Sequence, residues 1–466
     1  MSTAIWQKLL CKKRYNSNTT DTSDLSRSVY LVDVDRIIYS SYFRKLQDKT
    51  QVHPLSKSDY VRTRLTHSLE VAGVGRSLGY GIGMELVKKY DLKEVTEHDF
   101  GYIMQAACLA HDIGNPPFGH LGEEAIQTFF NAHKTELLQQ LTEEEFNNLS
   151  HFDGNSQGFR IVTQLAGWGD EGGLKLTYAT LGTFLKYPRG FLFKEDLQNI
   201  YTKHQVDQII GSSKVGIFKK EIRVFEEIAS DLGLIRLADN KPIFSRHPLA
   251  FLTEAADDIC YCVADLEDAF FVGISSLKEV ENLLGPIARN PNTLTNIGEK
   301  KYLGNAKERT SLLRQEPFYK KMDSRRKIEW LRGKAISNLI LEAKEVFLKN
   351  EELIINGQFN LELLSLTPFA EEIQKCKEYA RSHIFNSLDK INSEIKGLSA
   401  IEGILEELYK VILNPLHPKS KRINNILEIK IDPRNSLYDN LVLIMDFVAD
   451  FTDRNLLEFY NTLRGS

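Results

Sequence analysis

The hydrophobic pattern along the chain has the period of helices. Leu65, Leu69 and Ala72 fall at i, i+4 and i+7, one face of a helix. Ala255, Ile259, Val263, Leu266 and Phe270 recur at three- and four-residue spacing within "LTEAADDICYCVADLEDAFF" and predict another. The C-terminal third repeats the style in "AISNLILEAKEVFLKN", "IEGILEELYKVIL" and "NLLEFYNTLRG". Alternation with period two is sparse, and "GFLFK" and "LGLIRLADNKPIF" are the best short strand candidates. The pattern has no convincing βαβ alternation, no glycine-rich phosphate loop and no fixed-period repeat. The expected fold class is all-α, mostly helical with at most a few short strands. Breakers fall in "HKTELLQQLTEEEFNNLSHFDGNSQG", in "KYPRG" and in "GPIARNPNTLTNIGEKKYLGN". The last marks a boundary near residue 290 and divides the chain into 1–290 and 291–466.

Composition leaves this picture standing and narrows the setting. Apolar residues make up 42% and charged residues 26%, an ordinary soluble balance for 466 residues. The longest apolar runs, such as "LVLIMDFVADF", are too short to span a bilayer and are broken by Asp, so no membrane association is expected. The N-terminus lacks the apolar run of a signal peptide. Five cysteines, Cys11, Cys108, Cys260, Cys262 and Cys376, form no CxxC pair, which fits a reducing, cytoplasmic setting. A net charge of -4 argues against a generally basic nucleic-acid binder. One segment departs from it: "KKYLGNAKERTSLLRQEPFYKKMDSRRKIEWLRGK" carries far more Lys and Arg than Asp and Glu. It reads either as a solvated helix face or as a contact for phosphates of a nucleotide or nucleic acid.

The candidate chemistry is concentrated in "CLAHDIGNPPFGHLGEEA", residues 108–125. A small apolar run ends in adjacent His111 and Asp112. Two side chains so placed reach one ion only from a helix end or an irregular turn, and Gly114, Pro116 and Pro117 provide one. Upstream, "VRTRLTHSLEVAG" places His67 on a helix. Downstream, Asp257, Tyr261 and Asp265 stand at i, i+4 and i+8 on a helix that also has an apolar stripe. Burying two carboxylates and a phenol there is costly unless a cation or hydrogen-bond donors compensate. A set of two histidines and two carboxylates suits Mn, Fe, Mg or Zn and leaves positions for water and substrate. Singly, each residue has an ordinary alternative: a hydrogen-bonded core histidine, a chance His-Asp pair, a solvated acidic face.

The order His, His-Asp, distant Asp resembles that of the HD superfamily of metal-dependent phosphohydrolases. The flanks "FRKLQDKTQV", "VRTRLTHSLEV", "HDIGNPPFGHLGEEA", "FDGNSQGFR", "LTYATLGTFLKYPRG", "EAADDICYCVADLEDA" and "FTDRNLLEFYNTLRG" are similar to bacterial deoxyguanosine triphosphate triphosphohydrolases, in order from about residue 29 to 464. More distantly, the chain resembles the animal dNTP hydrolases that join an SAM and an HD domain. The resemblance implies an HD core over 1–290 and a helical region over 291–466 that completes the pocket and carries oligomer and effector surfaces. It implies one divalent metal per subunit, Mn or Mg with Fe or Zn also suited, held by His67, His111, Asp112 and Asp257. The implied reaction converts dGTP, or another dNTP, to the deoxynucleoside and tripolyphosphate through water attack at the α-phosphorus. His120 is the candidate proton donor or water-positioning group, and Glu123, one turn on, is expected to orient its imidazole and raise its pKa.

Substrate contacts implied by the match are Gln47 near the sugar 3′-OH, Arg64 toward a phosphate, and Tyr261 and Asp265 toward the deoxyribose. Asn115, Asn155, Lys186, Tyr187 and Lys219 complete the expected set. The family is oligomeric, so a homo-oligomer, hexamer or tetramer, is expected, with single-stranded DNA or a dNTP as effector. Two other readings compete: another HD phosphohydrolase acting on an alarmone or a nucleoside monophosphate, and a non-catalytic dNTP sensor or single-stranded-DNA-binding protein.

Overall fold

Helices carry nearly all of the regular structure. The structure is a computed structural model, and it describes residues 2–16, 27–51, 60–167, 173–204, 214–289, 305–384 and 388–465. Among these residues no sheet forms. Period-two pairing is confined to isolated bridges, two of which, Arg189 with Ile243 and Arg236 with Phe244, fall at the segments expected to be strands. No described helix is long and apolar enough to cross a membrane.

Two helices frame the site. Arg64–Tyr90 begins at Thr63, whose side chain accepts from the Thr66 amide while the Thr66 hydroxyl accepts from the Thr63 amide. It packs along Glu97–Ala110 through Val71, Val74, Leu78 and Ile82. Gly79 makes the approach close: a Cβ there would stand 2.5 Å from the carbonyl oxygen of Phe100. The helix is where the spacing predicted it, and Leu65 and Ala72 of the predicted face pack on the core, but Leu69 does not. Leu69 is 49% exposed, and His67, Ser68 and Val71 point inward in its place. A third helix, Ala250–Phe271, crosses this pair and buries Ala255, Ile259, Val263 and Leu266 as its stripe predicted.

The apolar interior is gathered in two large clusters. One runs from Trp6 to Ile384 and includes Leu331, Leu339 and Phe347 of the long Ser324–Ile355 helix. The other joins Ile126, Phe129 and Phe130 of His120–Ala132 to Ile401, Leu405 and Leu408 of Leu388–Leu413 and to Leu441 and Met445 of Leu437–Ala449. Both clusters draw on residues either side of 290, and residues 290–304, where the sequence suggested a boundary, lie outside the described residues. The polar stretch 133–158 is not a long break: it folds into short helices at Lys134–Leu137, Glu143–Ser150 and Gly154–Arg160. In the basic segment, the described arginines pair with acids of the same chain. Arg309 meets Glu372, Arg314 meets Glu281 at 2.7 Å, and Arg332 meets Glu267 at 2.8 Å.

Candidate active site

His111 terminates the Glu97–Ala110 helix, and its ring folds back so that Nδ1 meets the Cys108 carbonyl at 2.7 Å. A carbonyl only accepts, so Nδ1 carries the proton and Nε2 is left with the lone pair in the neutral ring. Nε2 is buried and has no hydrogen-bond partner among the described residues. It faces Asp257 Oδ1 at 3.5 Å and Asp112 Oδ1 at 3.6 Å. His67 Nε2 lies 3.0 Å from the same Asp257 oxygen, and the two imidazole rings sit edge to face, 5.4 Å apart. His67, His111 and Asp257 each offer a ligand atom, all within 4.8 Å of one another. Asp112 stands beside this trio with Oδ2 held by Arg64 Nη1 at 2.8 Å and Oδ1 accepting from Asn115 Nδ2.

A lone pair aimed at two carboxylates is repulsive unless positive charge lies between them. The electrostatics say the same. Burial opposes a charged His111, but Asp112 and Asp257 overcome it and lift the ring to about 9. Burial likewise opposes ionised Asp257, yet His111 and His67 hold it well below its usual value. Asp112 is depressed too, since Arg64, His111 and His67 outweigh its burial. The donors fit a divalent cation: two imidazole nitrogens and a carboxylate, with a second carboxylate adjacent.

This group forms one side of a cavity of about 410 Å³. His111, Asp112 and Asp257 line it, as do His120 and Glu123 of the next helix. Three cations face it: Arg64, Lys186 and Lys214. Asn115, Asn155, Tyr187 and Tyr261 complete the expected residues found there.

Comparison with known proteins bears on this arrangement. The HD domain family model matches residues 64–167, the span holding His67, His111, Asp112, His120 and Glu123. A deoxyguanosinetriphosphate triphosphohydrolase-like protein of Synechocystis sp. is 38% identical over 466 residues, 99% of either chain. One of Pseudomonas aeruginosa is 38% identical over 472 residues, covering 99% of this chain and 98% of that one. The chain belongs to the deoxyguanosinetriphosphate triphosphohydrolase-like family of HD-domain proteins. A deoxyguanosinetriphosphate triphosphohydrolase of Yersinia enterocolitica is also similar, 33% identical over 436 residues, 85% of this chain and 79% of that one. HD domains are metal-dependent, and His67, His111 and Asp257 form a group that could hold a metal ion.

Three residues expected to contact substrate lie off the cavity lining, and the shift of His120 runs opposite to the expected direction. Gln47 lies exposed on the Leu46–Asp48 turn, off the cavity, which Gln51 lines instead. The 3-10 turn ends at Asp48 and residues 49–51 are not helical, so a shift of four residues does not keep the same face. Lys219 pairs with Glu144 at 3.1 Å and does not line the cavity, whereas Lys214 does, anchored to Asp153 at 2.8 Å. Asp265 is buried one turn beyond Tyr261 rather than at the cavity wall; with burial as the main cause, it helps push the Tyr261 phenol above its usual value. Finally, Glu123 does not raise His120. Its Oε1 accepts from the Gly154 amide at 2.7 Å, and burial with the nearby Asp153 charge pushes it up to about 7. His120 is instead lowered, by its surroundings and by the charges of Lys214 and Arg64.

Sequence reasoning missed Gln51, Lys214 and Glu254. Glu254 had a local signal, because it lies one turn before Asp257 on the same helix. There it lines the cavity and holds Lys186 Nζ at 3.2 Å and Arg246 at 2.8 Å. Lys214 had none: only the tertiary fold brings it to Asp153.

Proposed function

We propose that the chain hydrolyses a deoxynucleoside triphosphate, dGTP foremost, to the deoxynucleoside and tripolyphosphate. Water adds to the α-phosphorus, the bond to the sugar 5′ oxygen breaks, and that oxygen takes up a proton. The observation that carries this reading is a cavity lined by His111, Asp112 and Asp257, with His67 3.0 Å from Asp257, and by three cations, Arg64, Lys186 and Lys214. Three cations around a recess of about 410 Å³ suit a polyanion of nucleotide size.

In this reading His67, His111, Asp112 and Asp257 hold one divalent cation, manganese or magnesium. Bound there, it supplies Lewis acidity for the phosphate and for the attacking water. Arg64 has two tasks: it steadies Asp112 and presents its remaining donors to a phosphate. Lys186 stays protonated between Glu254 and Asp257 and donates from the opposite wall. His120 opens onto the cavity, where burial and, after it, the charges of Lys214 and Arg64 hold its ring below its usual pKa. A polyphosphate that neutralises those two cations removes their share of the suppression and adds negative charge beside the ring, so His120 gains its proton as substrate arrives and delivers it to the departing 5′ oxygen. Tyr261, its phenol protonated, packs against the sugar and disfavours a ribose 2′-OH.

The test is product analysis. The protein is stripped of metal, reloaded with Mn or Mg, and incubated with each dNTP and with GTP. Chromatography is expected to show deoxyguanosine and tripolyphosphate from dGTP, dependent on metal and lost in His120→Ala and Asp257→Ala. Release of pyrophosphate or of single phosphates would refute attack at the α-phosphorus. Salt-sensitive binding of single-stranded DNA or dNTP without turnover would favour the sensor reading.

A further inference from the structure

Asp453 opens the last helix, Asp453–Arg464, and is 1% exposed. Its carboxylate does not cap that helix, because the Thr452 side chain does so by accepting from the Asn455 amide. Instead Oδ1 accepts from the Phe118 amide at 2.9 Å, while Oδ2 accepts from the Thr50 amide at 3.0 Å and from the Thr50 hydroxyl. Thr50 directly precedes Gln51, and Phe118 lies two residues before His120; both Gln51 and His120 line the cavity. A parallel tie lies beside it. The buried Lys49 ammonium donates to the Asn115 carbonyl at 2.7 Å and to the Ala449 carbonyl at 2.9 Å. The corner between the two last helices thus grips two chain segments at once.

The turn it grips needs holding. Phe118 and Gly119 have φ of +62° and +60°, and the left-handed region is unfavourable for phenylalanine. A hydrogen bond to a carboxylate is stronger than one to a neutral acceptor.

We propose that Asp453 is a positioning residue for the reaction: its carboxylate fixes the Phe118–His120 turn against the Thr50–Gln51 segment and so sets the spacing of two walls of the cavity. This rests on the nucleotide-hydrolysing reading above. It assigns the C-terminal "FTDRN" stretch a task 335 positions away from the turn it controls.

Asp453→Ala, Asp453→Asn and Thr50→Ala are compared with the full-length wild type. Asp453→Ala is expected to keep the wild-type manganese content and to lose about a hundredfold in kcat for dGTP with a smaller change in KM. Amide exchange in the peptide carrying Phe118 is expected to rise about tenfold, with no change in the Arg64–Tyr90 helix. Asp453→Asn, which keeps one acceptor, recovers part of the loss, and Thr50→Ala, which keeps the Phe118 bond, falls between. These two variants decide the matter if the alanine variant does not fold. A kcat within about threefold of wild type in every variant overturns the proposal. So does faster exchange spread evenly over the C-terminal helices with a matching loss of metal, the mark of a purely structural role. Should wild type turn over no deoxynucleotide, the proposed reaction fails, and the exchange pattern alone decides the role of Asp453.

Discussion

Acidification destabilises this protein at His247. The ring is 1% exposed. Nε2 meets the Leu9 carbonyl at 3.0 Å, and Nδ1 accepts from the Leu249 amide at 3.2 Å. The Thr183 hydroxyl also lies 3.2 Å from Nδ1, and the Leu249 amide favours the neutral ring with its proton on Nε2. A second proton, on Nδ1, would point at an amide hydrogen and place a charge in the interior. Burial accordingly lowers His247 to about 4, and the Leu9 bond opposes this only in part. In the unfolded chain the ring titrates near 6.5. The folded state therefore binds fewer protons, and stability is complete above about pH 6.5 and falls as pH drops toward 4. At 1.36 kcal/mol per unit, the loss from this residue is about 2 kcal/mol by pH 5 and about 3 kcal/mol when complete. Urea unfolding of wild type and His247→Gln at pH 7, 6 and 5 reads it directly. Glutamine keeps a donor for Leu9 and does not titrate, so the two pH dependences must diverge by about that amount. Parallel curves would refute the reasoning. The locus bears on the site, because Leu249 leads into the Ala250–Phe271 helix that carries Asp257.

Further outcomes follow from the same geometry. Asp257→Asn removes a charge shared by both histidines; metal affinity should fall about a hundredfold or more, and His111 in the metal-free protein should titrate below its value of about 9, read by imidazole NMR. Lys214→Ala should raise KM for dGTP about tenfold, whereas Lys219→Ala, which breaks pairs with Glu144 and Glu145 away from the cavity, should stay within about twofold. Gly79→Ala should lower Tm, since its Cβ would press on the Phe100 carbonyl at 2.5 Å; the expected cost is about 1–3 kcal/mol, and an unchanged Tm would contradict the close approach.

Much of the site was legible because its signals are local. Adjacent His111 and Asp112 before a Gly-Pro-Pro break announce a helix end that presents both side chains, and Asp257 with Tyr261 at i+4 share a face. What was not legible lies where backbone geometry is irregular or partners are distant. Gln47 and Gln51 are equally polar and four residues apart, and nothing within the segment says which meets the cavity. Glu123 was assigned to His120 by helical spacing, but the Gly154 amide competes for it from a separate helix.

The sequence by itself determined the all-helical class, the two long helices of the site and the residue types of the group that could hold a metal. Each depends on interactions within a few positions, which periodicity records. Tertiary structure alone decided that Leu69 faces solvent while Val71 and Leu78 do not, and that Lys214 rather than Lys219 reaches the cavity. It alone hung the turn before His120 on Asp453. Such outcomes follow from the packing of segments far apart in the chain, where the competing contacts differ by the strength of a single hydrogen bond or a few buried methylenes.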